Sequence, residues 1–150
     1  MLTDFMIRVL QKTERLDALT LVWNVFQEYE APDYSEEGIE EFHKSIHDKA
    51  YLSDLCFYGA FIKERLVGVL ATRSGGAHIA LFFVDGAYQG QGIGRQLFEA
   101  VRIKCPAPNM TVNSSPYAVP IYHHLGFADT DVEQSVHGLR FTPMEVRIEK

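Results

Sequence analysis

The segment that most constrains this chain is a strand-length apolar run followed by a glycine-rich turn and an amphipathic helix. Residues 79–84 read Ile-Ala-Leu-Phe-Phe-Val, an unbroken run that predicts a strand covered on both faces. Five residues after Val84 comes Gln89-Gly90-Gln91-Gly92-Ile93-Gly94, and Ile93, Leu97, Phe98 and Val101 then recur at helical spacing up to Pro106. A strand–turn–helix of this kind leaves the first N–H groups of the helix without intrahelical partners. Glycine lets a ligand approach that backbone closely, and the helix dipole adds partial positive charge. The segment is therefore either an anion site suited to a phosphate or pyrophosphate, or a glycine turn that only caps a helix. Arg95 would add a charge-assisted contact to such an anion. No Gly-Lys-Ser/Thr follows, so it is not a Walker-type phosphate loop. The turn also lies past the middle of the chain, behind a hairpin, which argues against an opening dinucleotide-binding unit.

The elements around this segment are legible in outline. Residues 5–10 predict a strand, and Leu16, Leu19, Val22, Trp23 and Phe26 follow Thr13 at helical spacing. Ala31-Pro32-Asp33 breaks that helix, because proline disfavours helical geometry in the residue before it. Ser35 is placed to cap a second helix, with Glu36 and Glu37 at its positive end and Ile39, Phe42 and Ile46 facing inward. Residues 55–62 and 66–72 predict a hairpin around Lys63-Glu64-Arg65, and Ser74-Gly75-Gly76 turns the chain into the strand 78–84. Beyond the helix, a short strand at 110–113, a short helix at 116–125 stopped by Gly126, and strands at 127–133 and 139–148 complete the order. The result, β-α-α-β-β-β-α-β-α-β-β, matches neither a simple Rossmann alternation nor an all-β sandwich.

The chain has 150 residues and is 47% hydrophobic, which suits one domain spanning residues 1–150 around one core. It shows no repeat, linker or block of like charge. Its net charge of −6, from 14 Lys+Arg against 20 Asp+Glu, argues against nucleic acid as a partner and is compatible with a cationic substrate such as an amine. Cys56 and Cys105 stand apart without CxxC spacing, so a disulfide framework or zinc site is not expected and reduced thiols are. No apolar stretch approaches the ~20 residues of a membrane helix. Met1-Leu2-Thr3-Asp4 lacks the basic-then-apolar pattern of a secretory signal, and a cytoplasmic protein with no membrane partner is the expectation. His43 and His47 have the i, i+4 spacing of a metal pair but lack a third ligand, so no metal is expected, and His123-His124 point apart on a helix. No Gly-x-Ser-x-Gly elbow supports a serine hydrolase.

Two motifs carry a family resemblance. Val84-x4-Gln89-x-x-Gly92-x-Gly94 resembles motif A of the GNAT N-acetyltransferase superfamily, and Ala118-x3-Tyr122-x-x-Leu125-Gly126-Phe127 resembles its C-terminal motif. The resemblance extends over nearly the whole chain, because the element order also matches. It implies an α/β (α+β) fold: a mixed, mostly antiparallel sheet of about seven strands with helices on both faces. It further implies an acetyl-CoA-dependent N-acetyltransferase in which an amine attacks the acetyl thioester directly. A catalytically inactive coenzyme A-binding sensor or interaction module of the same fold is the alternative. The acceptor remains open across polyamine, aminoglycoside, amino acid, peptide N-terminus and lysine, and longer acyl donors also remain open. Homodimers are common in the family and are one assembly the resemblance allows.

Carried onto this chain, the resemblance has the motif A strand splay from its neighbour, so that backbone groups of Phe82, Phe83 and Val84 pair with the pantetheine arm. The turn residues Gln89, Gly90, Gln91, Gly92, Ile93, Gly94 and Arg95 then bind the cofactor, their N–H groups from Gly90 onward on the pyrophosphate. Tyr122 stands where the family commonly has a tyrosine near the cofactor sulfur, and a phenol of pKa about 10 can protonate a departing thiolate. Its other reading is an amphipathic core tyrosine. The family often has an asparagine seven residues before that tyrosine. This chain has Ser115 there and Asn113 slightly earlier, either of which is a candidate cofactor contact. His78 is a candidate general base: even spacing puts it on the face of Ala80, Phe82 and Val84, and imidazole accepts protons near neutrality. Its other reading is a strand-edge residue. Glu28, Tyr29, Glu30, Asp33 and Tyr34 cluster where the family commonly places the acceptor pocket, and carboxylates beside aromatic rings suit an ammonium group. If His78 is not the base, the base is a water held by backbone carbonyls or by a carboxylate such as Glu28 or Glu30. An ordinary solvated helix end is the other reading of the cluster.

Overall fold

Eight strands form the sheet of the computed structural model, which describes residues 5–148. The strands are β1 (Phe5–Val9), β2 (Cys56–Ile62), β3 (Arg65–Arg73), β4 (His78–Val84), β5 (Asn109–Ser114), β6 (Ala128–Asp129), β7 (Gln134–Val136) and β8 (Leu139–Arg147). Their spatial order is β1-β2-β3-β4-β5-β8-β6, with β7 also on β8. All pairs are antiparallel except β4–β5. The helices are α1 (Arg15–Val25), α2 (Glu36–Ser45), α3 (Lys49–Ser53), α4 (Ile93–Lys104) and α5 (Val119–His124). Among the described residues no helix is long and apolar enough to cross a membrane.

The sheet carries a core on each face. Ile93, Leu97, Phe98 and Val101 of α4 pack with Val67, Leu70, Met110 and Phe127 on one face. On the other, Ala18, Val22 and Phe26 pack with Phe57, Val69, Leu81 and Phe83. β4 contributes to both cores, as its unbroken apolar run predicts. An aromatic layer joins the turn after α1 to α2 above β4: Phe26 stacks on Phe42 with ring centroids 4.0 Å apart, and Phe42 lies 6.0 Å from Phe83.

Two features of β4 set up the site. First, it pairs with the parallel strand β5 only at His78 and Ile79, and beyond that point the two strands diverge. Second, its register against β3 shifts between Ala71 and Thr72, which pair with Leu81 and Ile79. Ala80 is thus an extra, bulged residue, and a bulge breaks the in–out alternation of a strand.

Some sequence expectations need correction. The stretch 127–133 is not one strand: β6 is two residues long, and pairing resumes only at Gln134. An additional short helix, α3, is capped by Asp48, whose carboxylate accepts from Ala50 N at 2.9 Å. Leu16 does not face inward. It is 75% exposed, because the buried stripe of α1 runs through Ala18, Val22 and Val25. The hairpin loop is Lys63-Glu64 alone, both at positive φ, with Arg65 already paired in β3. Ser35 does cap α2, accepting from Gly38 N at 3.3 Å.

Gly38 fixes how closely α2 approaches the turn before β8, since a Cβ there would collide with the Gly138 carbonyl. Alanine in a helix normally gains up to ~1 kcal/mol over glycine. Overpacking against backbone costs about 1–3 kcal/mol and outweighs that gain. Gly38→Ala is accordingly expected to lower the denaturant midpoint, and a raised midpoint would contradict this packing.

Candidate active site

The divergence of β4 from β5 leaves the β5-facing backbone groups of β4, from residue 80 onward, without a strand partner. At the end of this fork stands the glycine turn. Gly90 and Gly92 have φ of 77° and 85°, a left-handed geometry that glycine adopts without strain. Gly92 is the N-cap of α4 and supplies no side chain to its first turn. Among the described residues no group accepts a hydrogen bond from the N–H of any residue from Gly90 to Arg95. A row of unpaired N–H groups at a helix N-terminus is an anion cradle.

Gln89 and Arg95 brace the turn. The Gln89 side-chain amide donates to the Val84 carbonyl at 3.0 Å, and its oxygen accepts from the Tyr117 hydroxyl at 3.1 Å. Arg95 donates across to the His124 carbonyl of α5 at 3.0 Å. Fork, turn and α5 together line a cleft of about 630 Å³ that includes Phe82, Phe83, Val84, Gln89, Gly90, Gly92, Ile93, Gly94 and Arg95. Of the turn residues expected there, Gln91 does not line it.

Tyr122 and Glu30 line this cleft and also line a second, adjoining cavity of about 350 Å³. Tyr122 is 5% exposed, held between Phe82 and Phe127 at ring-centroid distances of 6.0 and 5.3 Å. Burial, with the nearby Glu30 charge, raises its phenol well above the ordinary value, so it remains protonated at working pH. Glu30 ends a π-helical turn, Phe26–Glu30, in which the Ala31 N–H reaches back to the Phe26 carbonyl. Pro32 has no N–H and stops the helix there. Loss of solvent raises the Glu30 carboxyl to about 7, against an opposing effect of the neighbouring Ser115 hydroxyl. A carboxylate tuned to that range is suited to proton transfer at neutral pH.

The acidic, aromatic cluster divides. Glu30 and Tyr34 line the second cavity, and the Tyr34 hydroxyl donates to the Arg140 carbonyl at 3.1 Å. Glu28 and Tyr29 do not line it. A Cβ on Gly86 would collide with the Tyr29 hydroxyl and the Glu28 carboxylate, and Tyr29 packs on Tyr117 at 5.3 Å, so both face the loop after β4. The turn of backbone around Phe26–Glu30 separates them. Asn113 and Ser115 line the second cavity and not the cleft, so they stand on the far side of Tyr122 from the glycine turn.

His78 also requires correction, because the bulge at Ala80 defeats even spacing. Phe82 and Val84 pack on the α4 side, whereas Leu81 and Phe83 belong to the α1 side. His78 lies opposite Ile79, which is on the α4 side, and therefore shares a face with Ala80, Leu81 and Phe83. Its Nδ1 is hydrogen-bonded to Thr111 Oγ1 at 2.8 Å. Burial and the charge of Arg73 lower its pKa to about 4. His43 packs edge-on to Trp23 at 4.7 Å, and His47 Nδ1 donates to the His43 carbonyl. Among the described residues no three His, Cys, Asp or Glu side chains group as metal ligands.

With this geometry in place, comparison with known proteins is direct. Residues 30–148 match the family model described as an acetyltransferase (GNAT) domain. No curated protein sequence matches the chain significantly. Among solved structures, a GCN5-related N-acetyltransferase from Rhodopseudomonas palustris superposes with a TM-score of 0.84 at 22% identity, over 98% of each chain. The PaiA N-acetyltransferase of Thermoplasma acidophilum, in complex with coenzyme A, gives 0.79 at 21% identity, over 97% of this chain and 99% of that one. The ribosomal-protein-S18-alanine N-acetyltransferase of Escherichia coli gives 0.62 at 17% identity, over 97% and 95%.

Proposed function

Because the chain belongs to the GNAT acetyltransferase family, we propose that it is an acetyl-CoA-dependent N-acetyltransferase that moves an acetyl group to a primary amine by direct attack. One observation carries this reading: the N–H row of the glycine turn and the forked strand run in one cleft to a buried phenol and a carboxyl tuned to about 7. The arrangement fits coenzyme A. N–H groups from Gly90 to Arg95 hold the pyrophosphate, and the unpaired backbone of Phe82, Phe83 and Val84 pairs with the pantetheine amides as an added strand would. A relative solved with coenzyme A supports the same cofactor.

When bound, acetyl-CoA supplies the acetyl group as a thioester activated towards amines. The second cavity, lined by Tyr34 and Glu30 among others, receives the acceptor. Glu30 takes a proton from the ammonium and frees its lone pair. Tyr122, which lines both cavities, would give its proton to the sulfur as the thiolate departs, and the second proton that the attacking nitrogen sheds on becoming an amide would restore the phenol through solvent. Holding both partners in adjoining cavities supplies proximity, and the two side chains supply proton transfer. Glu30 is preferred to His78 as the base, because an imidazole lowered to about 4 is a poor proton acceptor at neutral pH.

The reading is tested by acetyl-CoA consumption across a panel of amine classes, which separates an enzyme from a module that only binds the cofactor. Acetyl-CoA at about 100-fold above its dissociation constant is expected to stabilise the protein by roughly 2.7 kcal/mol. Gly92→Val should abolish that shift: φ at Gly92 is 85°, and a branched side chain there strains the turn and blocks approach to its N–H groups. An equal shift in the variant, or none in the wild type at millimolar acetyl-CoA, would remove the glycine turn from the proposal.

A further inference from the structure

We infer that the acceptor carries an anionic group, separated from its amine by an apolar body, and that Arg73 receives that group. The inference rests on the acetyltransferase reading above and names the substrate class of the same site. Arg73 closes β3 directly opposite His78 and lines the second cavity. Its guanidinium makes no hydrogen bond or ion pair with any described residue. The other arginine lining this cavity, Arg140, is already engaged, with Glu133 at 3.2 Å and the Asp33 carbonyl at 3.0 Å. Arg73 is thus a solvent-exposed cation bordering the acceptor cavity, its donors free of partners among the described residues, and its field opposes protonation of His78 and, against the larger effect of burial, favours ionisation of Tyr51.

The position of Arg73 sets the spacing. The amine must meet Glu30 and Tyr122 beside Phe82, whereas Arg73 stands at the His78 end of β4. Four residues of strand span roughly 13 Å, less the contraction of the bulge and the reach of the arginine side chain. An α-amino carboxylate holds its charges too close together to bridge that interval. Between the two ends the walls are Phe42, Tyr51, Phe82, Phe83 and Phe141, which favour an apolar or aromatic body. A polycation would meet only two lining carboxylates, Glu30 and Glu41, and an unpaired arginine.

The test compares 2-phenylethylamine with 4-(2-aminoethyl)benzoate at saturating acetyl-CoA. The bodies are the same, and only the second carries a distal carboxylate. A charge-assisted arginine–carboxylate contact should raise kcat/KM for the carboxylated amine by about tenfold or more in the wild type. In Arg73→Ala that ratio should fall to about one, and Arg73→Lys should keep part of it, since lysine retains charge without the bidentate fork. Glu41→Gln should leave the ratio in place or increase it. Equal kcat/KM for the two amines in the wild type, a preference that survives Arg73→Ala, or one that follows Glu41 alone overturns the inference. So does failure to turn over either amine while acetyl-CoA still raises the melting temperature, which leaves the cofactor reading standing. Loss of the acetyl-CoA shift itself overturns both.

Discussion

Tyr122→Phe is expected to lower turnover by about 10²–10⁴-fold, the usual range for removing a positioned acid, while coenzyme A affinity and thermal stability scarcely change. The expectation follows from what the substitution retains. The ring keeps its contacts with Phe82 and Phe127, and only a hydroxyl that no described residue hydrogen-bonds is lost. Burial disfavours the phenolate, so the group enters the reaction as a proton donor at any working pH. Single-turnover rates alongside a coenzyme A titration separate the two effects. Unchanged turnover would reduce Tyr122 to a packing residue, whereas a large loss of stability would show that its hydroxyl supports the fold.

Glu30→Gln should also cost about 10²–10⁴-fold in turnover, with two further signatures that a packing role would not produce. Only ionised Glu30 accepts a proton, so wild-type turnover should climb with pH through about 7, and the glutamine variant should lack that rise. His78→Gln should keep it, because His78 titrates near 4. The second signature is stability. A carboxyl raised from its ordinary value of about 4.3 to about 7 favours the fold while protonated, and that contribution is lost as pH rises through about 7. The glutamine variant never ionises. It should match the wild type near pH 4–5 and exceed it in melting temperature above pH 7. A variant no more stable than the wild type at pH 8, with its pH–rate inflection intact, would exclude Glu30 as the base. Such a pairing of lost activity with gained stability is what a strained catalytic group predicts.

The parts of this site that could be read from sequence are those set by contiguous residues. The glycine turn announces itself because strand, turn and helix adjoin, and the local chemistry alone leaves N–H groups free. Tyr122 is legible through its spacing from Gly126 and Phe127. What could not be read depends on geometry that one residue changes. The bulge at Ala80 moves His78 to the other face, and nothing in Ile79-Ala80-Leu81 distinguishes a bulged strand from a regular one. The π-helical turn likewise separates Glu28 from Glu30 by a backbone hydrogen bond one residue longer than the usual helical one. Glu30 was legible as a candidate, a carboxylate two residues before Pro32 at a helix end rich in aromatic side chains. Its burial, however, is set by the tertiary fold, which brings Ser115 and Tyr122, more than eighty positions away in the chain, to the same cavity. The placement of β6 and β7 was obscured for a similar reason, since so short a strand is defined by its partner β8 and not by its own pattern.

The fork between β4 and β5 also bears on how this fold avoids unwanted association. Most proteins shield a sheet's rims, but here an open rim lies in mid-sheet, where residues 80–84 lack a neighbour on the β5 side. Such a rim is a template for any extended chain, including another copy of this one. Proline at the start of α5 and the aromatic rings of Tyr117 and Tyr122 line the approach to it, where a strand with side chains on both faces would have to fit among them. The cofactor channel is in this sense also a gap that selects by width. On the proposed reading it would admit a narrow, nearly side-chain-free polyamide and disfavour a polypeptide of ordinary girth.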